Sequence, residues 1–221
     1  MICVKSRPVR DYRVCEVTFG GVTANQFLKG IAMDSEIFTS LKGNLLMAMP
    51  SLADPNFSHS VTCISEHTPE GAVGIVVNRI FPDLNAKMIF EELGIECRDR
   101  AAAIPIHMGG PVHTNELFIL HSGPFEGDGI LRINDALALS NSRAILEAIA
   151  LEGEPDDFVI ALGCAGWGPG QLEWEMMQNA WLTVAYDHEI IFKLPVEERW
   201  EHAVRLLGID PDLLVETAGN A

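Results

Sequence analysis

The sequence predicts an α/β protein with a single folded domain and an irregular order of strands and helices. Three observations predict it. Hydrophobic residues make up 48% of the 221, ample for a core. Short β-branched or apolar runs such as AVGIVVN and FVIAL are interspersed with segments of helical period. The resulting order is β, β-hairpin, α, β, β, β, α, β, α, β, α, α. It does not alternate, so neither a TIM barrel nor a plain doubly wound sheet fits.

Residues 1–32 show no clear period, are basic, and hold two of the five cysteines. They read as a weakly structured extension. Met33 opens MDSEIFTSL like a natural start, so the expectation is that 1–32 are upstream sequence and that the domain spans 33–221. NLLMAM (44–49), ending at Pro50, is an apolar strand, followed by the polar loop SLADPNFSH. Strands at 61–65 and 72–78 flank EHTPEG, whose Pro69 and Gly71 mark a hairpin turn. A short helix at 85–93 is capped by Asn85 and terminated by Gly94. Strands follow at 103–108, ending in the turn GGPV, at 116–121 and at 129–133. Ser140 or Asn141 caps a helix that turns Ile145, Leu146 and Ile149 to one side, with Gly153 beyond its end.

The most distinctive stretch is 162–182, LGCAGWGPGQLEWEMMQNAWL. The apolar run at 158–162 suits a strand buried on both faces. Gly163, Gly166, Gly168 and Gly170 then form a tight turn, and Pro169 suits the first position of a helix reaching Leu182. On that helix Leu172, Trp174, Met176, Met177, Ala180 and Trp181 cover one apolar arc, with Glu175, Gln178 and Asn179 opposite. Residues 190–193 read as a short strand. Pro195 opens a helix whose expected buried face is Val196, Trp200, Ala203, Val204 and Leu207, and Asp210 caps a last one.

Composition excludes several classes. The formal net charge is −16, and residues 1–32 hold five Lys/Arg against two Asp/Glu, so the remainder carries −19. Direct nucleic-acid binding is not expected of such a surface. No apolar run reaches membrane-spanning length, and no signal-peptide pattern opens the chain. Scattered cysteines (3, 15, 63, 97 and 164) without a C-x-x-C pair point to reduced thiols in a cytoplasm. The glycine-rich stretch contains no Lys and matches none of the P-loop, G-x-G-x-x-G or G-x-S-x-G patterns. No cofactor and no metal are expected.

The candidate residues cluster in the same stretch. Glu173 lies inside the apolar arc and must find donors; it is either a structural carboxylate or a general acid/base or ligand anchor. Glu175 and Asn179 complete the helix part of a possible site. Gly163, Cys164, Gly166, Trp167, Gly168 and Gln171 make the turn, where a glycine-rich backbone can cradle an anion. Cys164 reads as a thiolate stabilised by the following helix or as a small buried hydrophobe. His67 sits at the hairpin as a candidate base. Arg79 is a cation amid apolar strands; it binds an acidic ligand or pairs with a structural carboxylate, for which Glu173 is available. His107, His113 and His121 are the remaining metal-ligand alternative.

KGNLLMAMPSLADPNFSHSV, EHTPEGAVGIVVNR, GGPV, FILHSG, LGCAGWGPGQLEWEMMQNAWL and RWEHAVRLLGID stand in this order and together resemble the AlgH/YqgE family over residues 41–221. The resemblance implies a bent mixed sheet forming a partial barrel flanked by helices. It also implies a bacterial cytoplasmic protein with a transcriptional-regulator label, and it imports no activity. Cys164 stands where the family has Tyr, and AGNA where it often has AGHA, which argues against a shared thiol or His mechanism. Two functional expectations follow. The first is a non-enzymatic regulator acting through a protein partner. The alternative is an enzyme or small-molecule binder with its site at 163–170 and the following helix.

Overall fold

The computed structural model describes residues 38–216; the expectations for residues 1–32 and for the terminal AGNA lie outside them. Ten strands appear, β1 (Leu45–Ala48), β2 (Val61–Thr68), β3 (Gly71–Val76), β4 (Ile80–Asn85), β5 (Pro105–Met108), β6 (Val112–His121), β7 (Ile130–Arg132), β8 (Ala138–Ser140), β9 (Phe158–Trp167) and β10 (Trp181–Val184). The α-helices are α1 (Ala86–Glu92), α2 (Arg143–Leu151), α3 (Gln171–Met177), α4 (His188–Phe192), α5 (Arg199–Leu206) and α6 (Pro211–Glu216). The strands make a curled, mostly antiparallel half-barrel in the order β10-β1-β2-β3-β9-β6-β8-β7. The strand β4 joins it through β5, which runs parallel to β9.

The strand β9 organises the sheet. Its first half pairs with β5 and β6, its second half with β3. Side chains alternate across a strand, so its residues feed separate cores. Val159 and Ala161 face Leu45, Met47 and Cys63, covered by Ile190, Trp200 and Val204 of α4 and α5. Ile160 faces Ile106, Ile119 and the buried sides of α1 and α2. Ala165 and Trp167 lie against Leu46, Ile64 and Trp181 under Leu172 of α3.

Several sequence expectations are corrected. The strand β9 runs through Gly163 and Gly166 to Trp167, so the turn shrinks to 168–170. The helix α3 starts at Gln171 after Gly170, whose φ is +70°, and stops at Met177. Asn179 (φ 55°) ends it: its N–H donates to Met176 O at 3.0 Å and the Ala180 N–H to Glu175 O at 3.0 Å, the double bond of a Schellman motif. Trp181 therefore belongs to β10, paired with Ala48, while Trp174 and Met177 face solvent. Residues 190–193 fall in and just after α4, because the Asp187 side chain accepts the Ile190 N–H at 2.9 Å and caps a helix. Ser142, not Ser140 or Asn141, caps α2. The helix after Pro195 begins only at Arg199. The hairpin turn is tighter than expected, because β2 continues through His67 to Thr68. Strands β4, β8 and β10 were unforeseen: β4 is an edge strand containing Pro82, which such a strand tolerates, β8 is three residues long, and β10 begins inside the expected helix.

Candidate functional site

The candidate site is the junction of α3 with the sheet. Across one sheet face, His67 on β2 is opposite Ala72 on β3, and Ala72 opposite Trp167 on β9. The helix α3 lies over this row and reaches it with two carboxylates. Glu173 Oε1 lies 2.9 Å from His67 Nε2. Glu175 Oε2 accepts the indole N–H groups of Trp167 at 3.0 Å and Trp181 at 2.8 Å. Its Oε1 accepts the Gln171 side-chain amide at 2.8 Å, and Gln171 Oε1 accepts the Gly168 N–H at 3.0 Å.

The His67 ring is tied at both nitrogens. The Leu41 backbone N–H donates to Nδ1 at 2.9 Å. A backbone amide only donates, so Nδ1 is the acceptor and Nε2 carries the proton given to Glu173. The Phe38 ring stands 4.9 Å from it. A base needs a free lone pair, and this one is occupied. Trp167, Trp181 and Phe57 form an aromatic cluster below, with centroids 5.5–6.1 Å apart.

The glycines of the stretch serve close packing. A Cβ on Gly163 (φ 74°) would stand 2.5 Å from Gly110 O, and one on Gly109 would stand 2.2 Å from Gly163 O. Two backbones therefore touch where GGPV crosses β9, leaving no room for an anion. Around Gly168 and Gly170 there is open space instead. Cys164 is buried in the middle of β9, and burial with the nearby Glu116 charge pushes its thiol up to about 11, against the thiolate reading.

The other candidates are dispersed. Arg79 does not pair with Glu173. Its guanidinium donates to the carbonyls of Pro55 (2.8 Å), Asn56 (2.9 Å) and Ser58, clamping the loop after β1. His107 and His121 oppose Ala161 and Phe158 on β9, which belong to different cores, and His113 is exposed beside Glu116 at 3.1 Å. The three do not converge, and among the described residues no group of three or more His, Cys, Asp or Glu is placed to hold a metal. Buried His107 has neither ring nitrogen hydrogen-bonded. Burial first and the Arg199 charge second push its pKa down to about 4, with the Ile160 backbone opposing.

Sequence reasoning missed two features. One is the exposure of Trp174 and Met177, which the short length of α3 decides. The other is a cleft of about 350 Å³ lined by His59, Asn78, Arg79, Glu197, Trp200 and Glu201. His59 there adopts φ 53° and packs on Trp200 at 4.9 Å. Its residues come from four separate segments, 58–59, 78–79, 196–201 and 211–212, and no local pattern joins them.

Comparison with known proteins agrees with this architecture. The AlgH-like family model matches residues 45–212. A UPF0301 protein of Desulforapulum autotrophicum is 49% identical over 181 residues, covering 82% of this chain and 96% of its own. The UPF0301 protein YqgE of Salmonella schwarzengrund is 41% identical over 186 residues, covering 82% of this chain and 100% of its own. The solution structure of the AlgH protein from Pseudomonas aeruginosa superposes with a TM-score of 0.68 at 42% identity, covering 86% of this chain and all of its own. With its half-barrel and most of its length matched, the chain belongs to the AlgH-like family.

Proposed function

We propose that this protein is a non-enzymatic cytoplasmic regulator that acts by binding a protein partner. The observation that carries the reading is the state of the candidate chemical groups. The His67 lone pair is held by Leu41, Glu175 is held by two indoles and Gln171, and Arg79 is held by three carbonyls. Catalysis needs a base or nucleophile within reach of substrate, and these groups are spent on internal bonds. Among the described residues no helix is long and apolar enough to cross a membrane, which is compatible with this reading. The net charge of −16 argues against direct DNA contact.

The rival reading, a small molecule held at 163–170, loses Gly163 to backbone contact inside the sheet and keeps open space only around Gly168 and Gly170. The cleft beside Arg79 and His59 is where such a molecule has room. Native mass spectrometry of the protein isolated gently from its own cells separates the two. A bound polypeptide without a small-molecule mass supports the regulator reading. A stoichiometric small molecule overturns it.

A further inference from the structure

We infer that the outer face of α3, built on Trp174 and Met177, docks a Lys/Arg-rich segment of the partner. The inference rests on the partner-binding reading and assigns it a surface and a chemistry. The chain has four tryptophans. Trp167, Trp181 and Trp200 are 3–5% exposed, whereas Trp174 is 59% exposed and Met177 71%. Three residues apart on a helix, the two project side by side. Tryptophan is the residue type most enriched at binding hot spots, and methionine adapts to irregular partners.

The face is held rigidly from behind. Glu173 ties α3 to His67, Glu175 ties it to Trp167 and Trp181, and Leu172 is buried beneath. A helix fixed in this way needs little ordering on binding, so less of the contact energy is lost.

Charge selects the occupant. Of the carboxylates here, Glu70 is exposed and Glu173 half-exposed, Glu175 being held beneath by the two indoles, and the helix and the flanking turns 68–71 and 168–170 carry no Lys or Arg. A second copy docking face to face would set these carboxylates against their own equivalents, on a chain already at −16. A basic segment gains from the same charges, and an arginine can stack on the Trp174 indole. The surface therefore fits a cationic segment bearing an apolar side chain.

The test is photo-cross-linking in cells of the full chain with p-benzoylphenylalanine in place of Trp174, and separately in place of exposed Met88 on α1 as a control. The expected result is a cross-link from position 174, absent from position 88, to a segment of another protein with net positive charge. A synthetic peptide of that segment is then expected to bind the wild type at least ~10-fold more tightly than Trp174→Ala or Met177→Ala, at matched circular dichroism, and more weakly in high salt. A cross-link to this chain itself, or to an acidic or uncharged segment, overturns the proposal. So does the lack of any cross-link at 174. If native mass spectrometry still shows a bound protein in that case, the regulator reading stands and only this surface falls.

Discussion

His67 Nε2 and Glu173 Oε1 are 2.9 Å apart, joining a ring that is 2% exposed to a carboxylate that is 42% exposed. The Leu41 amide on Nδ1 makes Nε2 the donor, so the buried ring depends on Glu173 for its second partner. Glu173→Ala is expected to lower stability by about 1–2 kcal/mol, the consequence of an unsatisfied buried N–H. Glu173→Gln keeps an acceptor oxygen and is expected to lose less than ~1 kcal/mol, because the carboxylate side of the pair is solvated. Urea unfolding of the two variants checks this. A chemical role for Glu173 would show instead as lost binding with stability kept.

Glu175 has the larger structural role. Two indole N–H groups from side chains only 3% exposed converge on its Oε2. Glu175→Ala leaves both without that acceptor and is expected to destabilise by about 2–4 kcal/mol. Glu175→Gln is expected to fall between wild type and Glu175→Ala. Urea midpoints, with near-ultraviolet circular dichroism reporting on Trp167 and Trp181, measure it.

The glycines separate by position. Gly109→Ala and Gly163→Ala drive a Cβ into backbone oxygen at 2.2 and 2.5 Å and are expected to lose about 3 kcal/mol or more, or to fail to fold. Gly168→Ala meets nothing nearer than Gln171 Oε1 at 3.9 Å and is expected to change stability by less than ~1 kcal/mol. Soluble yield and thermal midpoints of the three variants distinguish them. Equal tolerance at all three would contradict the close-packing account.

Stability is expected to fall with acidity through His107. Its pKa is lowered from 6.5 to about 4 by burial first and the Arg199 charge second. Between those values the unfolded chain binds the proton and the folded chain does not. Its contribution is therefore fully present above pH 6.5 and lost as pH falls towards 4. The loss amounts to about 3 kcal/mol for this one group. Buried His121, also lowered by desolvation, acts in the same direction. His107→Gln is expected to flatten the slope of stability between pH 6.5 and 4, measured by urea unfolding across that range.

Much of the fold was legible locally. The runs at 44–49, 61–65, 72–78 and 158–162 announce β1, β2, β3 and β9 by their apolar and β-branched content. Asn85 and Gly94 bound α1 as cap and stop signals should; the Ile95 N–H reaches Phe90 O at 2.8 Å beyond the glycine. The run at 190–193 misled because three apolar residues followed by a lysine suit either state, and the deciding Asp187 cap lies outside it. In the candidate site, Glu173 stood out as a carboxylate needing donors. Its donor, His67, is 106 residues away in sequence. Glu175, assigned to the solvent side, lies beneath α3 on two indoles.

By itself the sequence determined an acidic α/β domain, its main core strands and the glycine-rich character of 163–170, while the close backbone approach at Gly109 and Gly163 came from the structure. Side-chain period and glycine's missing Cβ are local properties, and they leave local traces. Tertiary structure alone decided where α3 ends and which of its faces is free. A helical period continues through Trp181, but pairing of β10 with β1 claims that residue's backbone for the sheet. With Leu172 and Glu175 taking the sheet side of α3, Trp174 and Met177 are left exposed. Strand pairing joins residues more than 130 positions apart, Ala48 with Trp181, and no pattern read along the chain encodes such a contact.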